Sequence, residues 1–227
     1  MAYSRTFLKV LLLVCCCSGT AAAQDTCAPI ADRRPNFTAQ QLVAPVLLAG
    51  AGLTLSGHLK YEVQDWRNRH FSSFHTKADD VLAVAPIAVV YGLDLLGVEA
   101  RTDFVNRSVI LAKAELLAIG SVYLLKAGTR EMRPDGSDFH SFPSNHSAQA
   151  FLAATLLSTE YGRRYRWMPY AAYTMASAVG ALRVLNNKHY LNDVLVGAGI
   201  GILSQKLAYW THRYQWGARK QKAPLDF

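Results

Sequence analysis

SVILAKAELLAIGSVYLL, running from Ser108 to Leu125, decides how the rest of the chain is read. It is long, rich in Ala and Leu, and interrupted only by Lys113 and Glu115, a pattern that favours a helix over a strand. More apolar segments of the same character surround it, at 41–57, 81–97, 147–160, 167–186 and 192–211. No β-hairpin signal, repeat or low-complexity tract lies between them. The expected fold is all-α, a bundle of about six helices.

Whether such helices cross a membrane turns on length, because a span needs about 20 mostly apolar residues. Several segments are near or below that length, and Asp94, Lys113, Glu115 and Lys206 interrupt them. Charged residues inside spans normally face the bundle interior or a site. The expectation is therefore a largely transmembrane bundle, with a soluble helical bundle as the alternative. Gly197 and Gly201, in GAGIG, have the G-x-x-x-G spacing that predicts close helix contact in either solvent.

Upstream, MAYSRTFLKVLLLVCCCSGTAAAQ places Arg5 and Lys9 before an apolar run, and three alanines before Gln24. That is the layout of a cleavable secretory signal over residues 1–23, leaving 24–227 as one domain. The chain carries 24 Lys and Arg against 16 Asp and Glu; losing Arg5 and Lys9 with the signal lowers its net charge from +8 to +6. A basic balance suits a phosphate-bearing or anionic-membrane partner. No nucleic-acid partner is expected. Cys15, Cys16 and Cys17 lie in the signal, so Cys27 is left alone and packing must hold an exported protein together.

Positive charge gathers at Arg163, Arg164 and Arg166 in one turn, and at Arg213, Arg219, Lys220 and Lys222 in the tail. Placing both inside by the positive-inside tendency puts the loops at 126–146 and 187–191 together on the other, periplasmic side. Six spans with that arrangement conflict with a cleaved signal. Either 41–57, weakened by Pro45, Gly50 and Gly52, does not span, or the signal is retained, or the protein is not integral.

Three boxes carry the chemistry. In the first, KAGTREMRP, Lys126 and Arg133 are seven apart, which on a continuing helix returns them to one face, where two cations can grip an oxyanion. Basic residues also gather at helix C-termini for the dipole alone. In the second, PSNH, Ser144 or Asn145 can cap the following helix, whose free N–H groups form an anion site beside His146. A lone histidine there is more often a surface residue. In the third, RVLNNKHYLND, His189 and Asp193 have helical i,i+4 spacing, so the carboxylate can fix one imidazole tautomer and leave the other nitrogen as nucleophile or base. A helix-surface pair is the plainer alternative.

In that order, Lys-x6-Arg-Pro, Pro-Ser-x-His and Arg-x5-His-x3-Asp resemble the three-part signature of the type 2 phosphatidic acid phosphatase superfamily, which includes lipid phosphatases, bacterial acid phosphatases and vanadium haloperoxidases. The matching positions are Lys126, Arg133, Pro134, Pro143, Ser144, His146, Arg183, His189 and Asp193. The resemblance implies a helical fold with the active site at one end and a phosphatase that needs no metal or other cofactor. It implies that His189 attacks phosphorus, Asp193 orients it, and His146 protonates the leaving alkoxide. Lys126, Arg133, Arg183, Ser144 and the N–H of Asn145 would hold the phosphate oxygens. The sequence departs from the family at Asn145, usually Gly, and at Leu182, usually Ser. A Gly at that turn predicts a left-handed backbone, which Asn is among the few other residues to tolerate.

The expected substrate is a lipid phosphate monoester or pyrophosphate, hydrolysed at a bacterial cell membrane with the site facing the periplasm. Undecaprenyl pyrophosphate, phosphatidylglycerophosphate, phosphatidic acid and lipid A phosphates all fit. The alternatives are a soluble periplasmic acid phosphatase of broad specificity and a non-catalytic protein that binds phosphate or a lipid headgroup.

Overall fold

The computed structural model describes residues 38–55 and 57–212; the expected signal, Cys27 and the basic tail from Arg213 lie outside them. Within these residues the chain forms eight helices and no strand, and the six expected segments all fall on helices. The helices are α1 (Gln40–Thr54), α2 (His58–His70), α3 (Ala78–Leu82), α4 (Ala85–Leu95), α5 (Phe104–Thr129), α6 (Asn145–Tyr161), α7 (Met168–Leu185) and α8 (Leu191–Trp210). α2 and the single turn of α3 were not expected. α2, HLKYEVQDWRNRH, is polar and lacks the apolar run by which the other segments were recognised.

α6 and α8 form the centre, because both carry small residues where they meet. A side chain at Gly197 would collide with the carbonyl oxygen of Ser144, and one at Gly201 with that of Ala148. Each pair is four residues apart, so one turn of α8 lies backbone to backbone on the first turn of α6. The expected G-x-x-x-G contact is therefore present and sits directly under the PSNH turn. On another side of α8, a Cβ at Gly199 would come within 2.7 Å of the Pro45 oxygen, which draws α1 equally close. Leu152, Leu156, Tyr161, Ala172, Ala176 and Val179 fill the core between α6 and α7.

Three of the charges that interrupt the apolar segments have inward partners. Asp94 on α4 pairs with the buried Arg107 of α5 at 2.7 Å. Glu115 accepts a 2.6 Å hydrogen bond from Gln149, and the Lys206 ammonium donates to the Gln41 carbonyl at 2.8 Å. Among the described residues α5 is the one helix long and apolar enough to cross a membrane, or one of two if α1 and α2 count together. Its flank exposes Leu116, Tyr123 and Leu124, α1 exposes Val46 and Leu47, and Leu95 and Leu96 at the end of α4 are almost fully exposed.

Candidate active site

Four chain segments converge at one end of the bundle: the C-terminus of α5, the N-terminus of α6, the C-terminus of α7 and the N-terminus of α8. The turn with Arg163, Arg164 and Arg166 follows the far end of α6. Seventeen residues of helix put it about 25 Å from the site.

The first box is not one helix. α5 stops at Thr129, where Arg130 takes a left-handed backbone with φ of 47° and its N–H closes back on the Lys126 carbonyl at 3.1 Å. Lys126 is therefore the last basic residue on α5, and Arg133 reaches the site from the following loop. The expected helical register is replaced by a chain reversal that still brings both cations to one place. Lys126 is buried and its ammonium donates to the His140 carbonyl. The Arg133 Nε donates to Asp138 at 2.9 Å. The charges of Arg133, Arg183, Asp138 and Asp193 all bear on Lys126.

In the second box the cap is Ser144, whose hydroxyl accepts from the Ser147 N–H at 3.3 Å and from the Ser147 hydroxyl at 3.0 Å. Asn145 is the first residue of α6, exposed and with helical backbone. It is not among the residues with positive φ, so the left-handed turn expected at this position does not occur. A helical first residue needs no glycine, because its φ is one any L-residue adopts. The amides of Asn145 and His146 belong to the first turn, where helix geometry supplies no acceptor. The second departure, Leu182, lies half-buried on α7.

The third box also departs from the expected i,i+4 helical pair. His189 precedes α8, and Asp193 is the third residue of the helix. Asp193 caps the helix, its Oδ2 accepting from the Tyr190 N–H at 3.0 Å and from the Ser141 hydroxyl. The Ser144 N–H donates to the Asp193 carbonyl at 3.0 Å, tying the second box to the third. His189 Nδ1 faces Asp193 Oδ2 at 3.5 Å. Both side chains are buried. Burial, with Arg183 and Lys126 nearby, lowers the His189 pKa to about 4 despite the opposing pull of Asp193. The ring is neutral at neutral pH, with its second nitrogen in the form that can attack an electrophile.

Sequence reasoning missed the residues that hold these boxes together. Arg183 Nη1 donates to Asp79 on α3 at 2.6 Å, and Asn186 donates to the same carboxylate at 3.1 Å. His146 Nε2 lies 2.9 Å from the carboxylate of Asp80. From α2, Lys60 pairs with Glu131, Gln64 donates to Asn187, and Arg67 Nε donates to the Leu185 carbonyl at 2.8 Å. Lys188 pairs with Asp135 at 2.7 Å, linking the first and third boxes. α2 and α3 thus brace the α5–α6 and α7–α8 loops and the adjoining ends of α6 and α7 from outside.

The nine signature positions all lie within residues 107–217, which match the model of the PAP2 superfamily. This region belongs to the PAP2 superfamily. It is 36% identical over 161 residues to a lipid A 1-phosphatase of Porphyromonas gingivalis, an alignment covering 70% of this chain and 36% of that protein. This PAP2 chain thus matches about a third of its curated relative's length. Among solved structures it is similar to Aquifex aeolicus LpxE, with a TM-score of 0.48, 23% identity, and coverage of 63% of this chain and 92% of that one. It is also similar to the transmembrane PAP2 type phosphatidylglycerolphosphate phosphatase of Bacillus subtilis, with a TM-score of 0.46, 22% identity, and coverage of 73% and 94%.

Proposed function

We propose that this PAP2 protein is a phosphatase that hydrolyses a lipid phosphate monoester or pyrophosphate through a phosphohistidine at His189. The observation that carries the reading is the buried His189, held neutral beside Asp193 and flanked by the cations Lys126 and Arg183. With Nδ1 turned to Asp193, Nε2 attacks phosphorus as the bond to the leaving oxygen breaks, and His146 delivers its proton to that oxygen. Neutral His146 then takes a proton from water, whose oxygen attacks phosphorus. The N–P bond breaks, and its electron pair returns to Nε2. Lys126, Arg133, Arg183 and the first-turn amides of α6 neutralise the charge on the non-bridging oxygens, which is most of what phosphoryl transfer requires.

A lipid substrate is supported by the apolar residues that α1, α4 and α5 expose, and by the name of the Porphyromonas gingivalis relative, lipid A 1-phosphatase. The same surface supports membrane attachment, and the basic turn at the far end of α6 supports a site on the periplasmic side. The test is phosphate release by purified protein from lipid A 1-phosphate, undecaprenyl pyrophosphate, phosphatidylglycerophosphate, phosphatidic acid and soluble phosphomonoesters. One or more lipids should exceed every soluble ester in kcat/KM. Preference for soluble esters would instead identify a broad acid phosphatase, and no turnover a binding protein. His189→Ala should lose at least about a thousandfold in kcat with its fold intact.

A further inference from the structure

α3 carries Asp79 and Asp80 as neighbours, about 100° apart around the helix axis; Asp79 meets Arg183, and Asp80 meets His146 with Arg183 farther off at 4.0 Å. Asp79 points inward: it is buried, and its two oxygens take Arg183 Nη1 at 2.6 Å and the Asn186 amide at 3.1 Å. Asn186 also accepts from the Thr76 N–H at 2.9 Å and donates to the Thr76 carbonyl at 2.8 Å, so the strand of chain leading into α3 is clamped to the end of α7. This leaves Asp80 with little choice of position. It points to the rim, with its side chain 55% exposed, and its Oδ1 lies 2.9 Å from His146 Nε2.

From this geometry we infer that Asp80 is a positioning residue for His146, holding Nε2 and presenting Nδ1 to the leaving group. The inference rests on the phosphatase reading for its catalytic meaning, but the pairing stands on its own contacts. A carboxylate on Nε2 selects the tautomer protonated there, so in the neutral ring Nδ1 is the free lone pair and in the cationic ring it is the N–H that donates. Nδ1 therefore donates a proton to the departing alkoxide in the first half-reaction and recovers one from water in the second. The arrangement parallels Asp193 and His189 with the nitrogens exchanged. Each histidine has one nitrogen facing a carboxylate and the other left for the reaction.

The charged groups facing His146 are Asp80 and Asp79 from α3 and Arg183 from α7. Burial and Arg183 disfavour the imidazolium, whereas the two carboxylates favour it. A general acid must carry its proton at the working pH, so removing Asp80 should reduce the protonated fraction and leave the ring free to turn. Because Asp80 is exposed, its substitution does not empty a core position.

The test uses the full-length protein in detergent, comparing wild type with Asp80→Asn, Asp80→Ala and Asp80→Glu. His146 is followed by NMR titration of a histidine-labelled sample assigned with His146→Gln, and kcat/KM is measured against pH for an alkyl and an aryl phosphate. In Asp80→Asn the His146 titration and the alkaline limb of the alkyl profile should move down together by about one pH unit. Alkyl turnover should fall about tenfold on that limb, aryl turnover should fall less, and Asp80→Glu should recover part of the loss. An unchanged His146 titration would overturn the pairing. So would a rise in kcat/KM for Asp80→Asn, which would mean that the carboxylate competes with substrate phosphate. If wild type turned over none of the phosphates, the phosphatase reading would fall, and the titration would still decide whether Asp80 holds His146.

Discussion

At the scale of single residues, the two histidines are distinguished by their surroundings. His189 is enclosed, and burial lowers its pKa to about 4; His146 is a third exposed and sits at a helix start. This division predicts different responses to the leaving group. His146→Ala should cost about 10²–10⁴-fold on an alkyl phosphate and far less on an aryl phosphate, whose leaving group departs without a proton. Parallel pH profiles on the two substrates would check it, and equal losses would remove His146 from the acid role. Asn145 gives the opposite expectation. Because its backbone is helical, Asn145→Gly should leave kcat/KM within about a factor of two, since only a small helix-propensity difference is at stake.

At the scale of helices, the geometry of the site depends on how closely α8 approaches α6. Gly197 meets the carbonyl of Ser144, and Asp193, one turn earlier on α8, receives the Ser144 N–H. One helix–helix contact thus sets the distance between the second and third boxes. Gly197→Val would force the two backbones apart. It should destabilise the protein by about 1–3 kcal/mol and lower kcat more than it raises KM. Thermal unfolding and steady-state kinetics on the same preparation would show both effects, and unchanged kinetics would mean that the contact does not set the site. Only the spacing of this contact could be read from GAGIG. The break after Thr129 could not be, because Arg130 gives no local warning of a left-handed backbone. Nor could the cap at Asp193, because i,i+4 spacing describes a helix pair and a residue just before a helix equally well.

At the scale of the whole molecule, pH should act on stability through the buried site. The folded-state pKa of His189 is about 4 against an ordinary value of 6.5, so below 6.5 the unfolded chain binds a proton that the folded chain does not. The penalty is absent above pH 6.5, grows as pH falls, and is complete near pH 4, where it reaches about 3 kcal/mol. Wild type should therefore lose thermal stability between pH 6.5 and 4 more steeply than His189→Gln. Equal slopes would show that the ring is not buried neutral.

The sequence by itself determined the helical class, the six apolar segments, the three boxes and the close contact of GAGIG. These depend on composition and short spacing, which survive without knowledge of partners. Tertiary structure alone decided that Asp79 and Asp80 face the boxes and that α2 braces two of the site's loops. It also decided that Arg133 and His189 lie on loops rather than helices. Residues 79 and 183, or 80 and 146, are far apart in the chain. Their meeting depends on where α3 packs, and no local pattern of side chains encodes that.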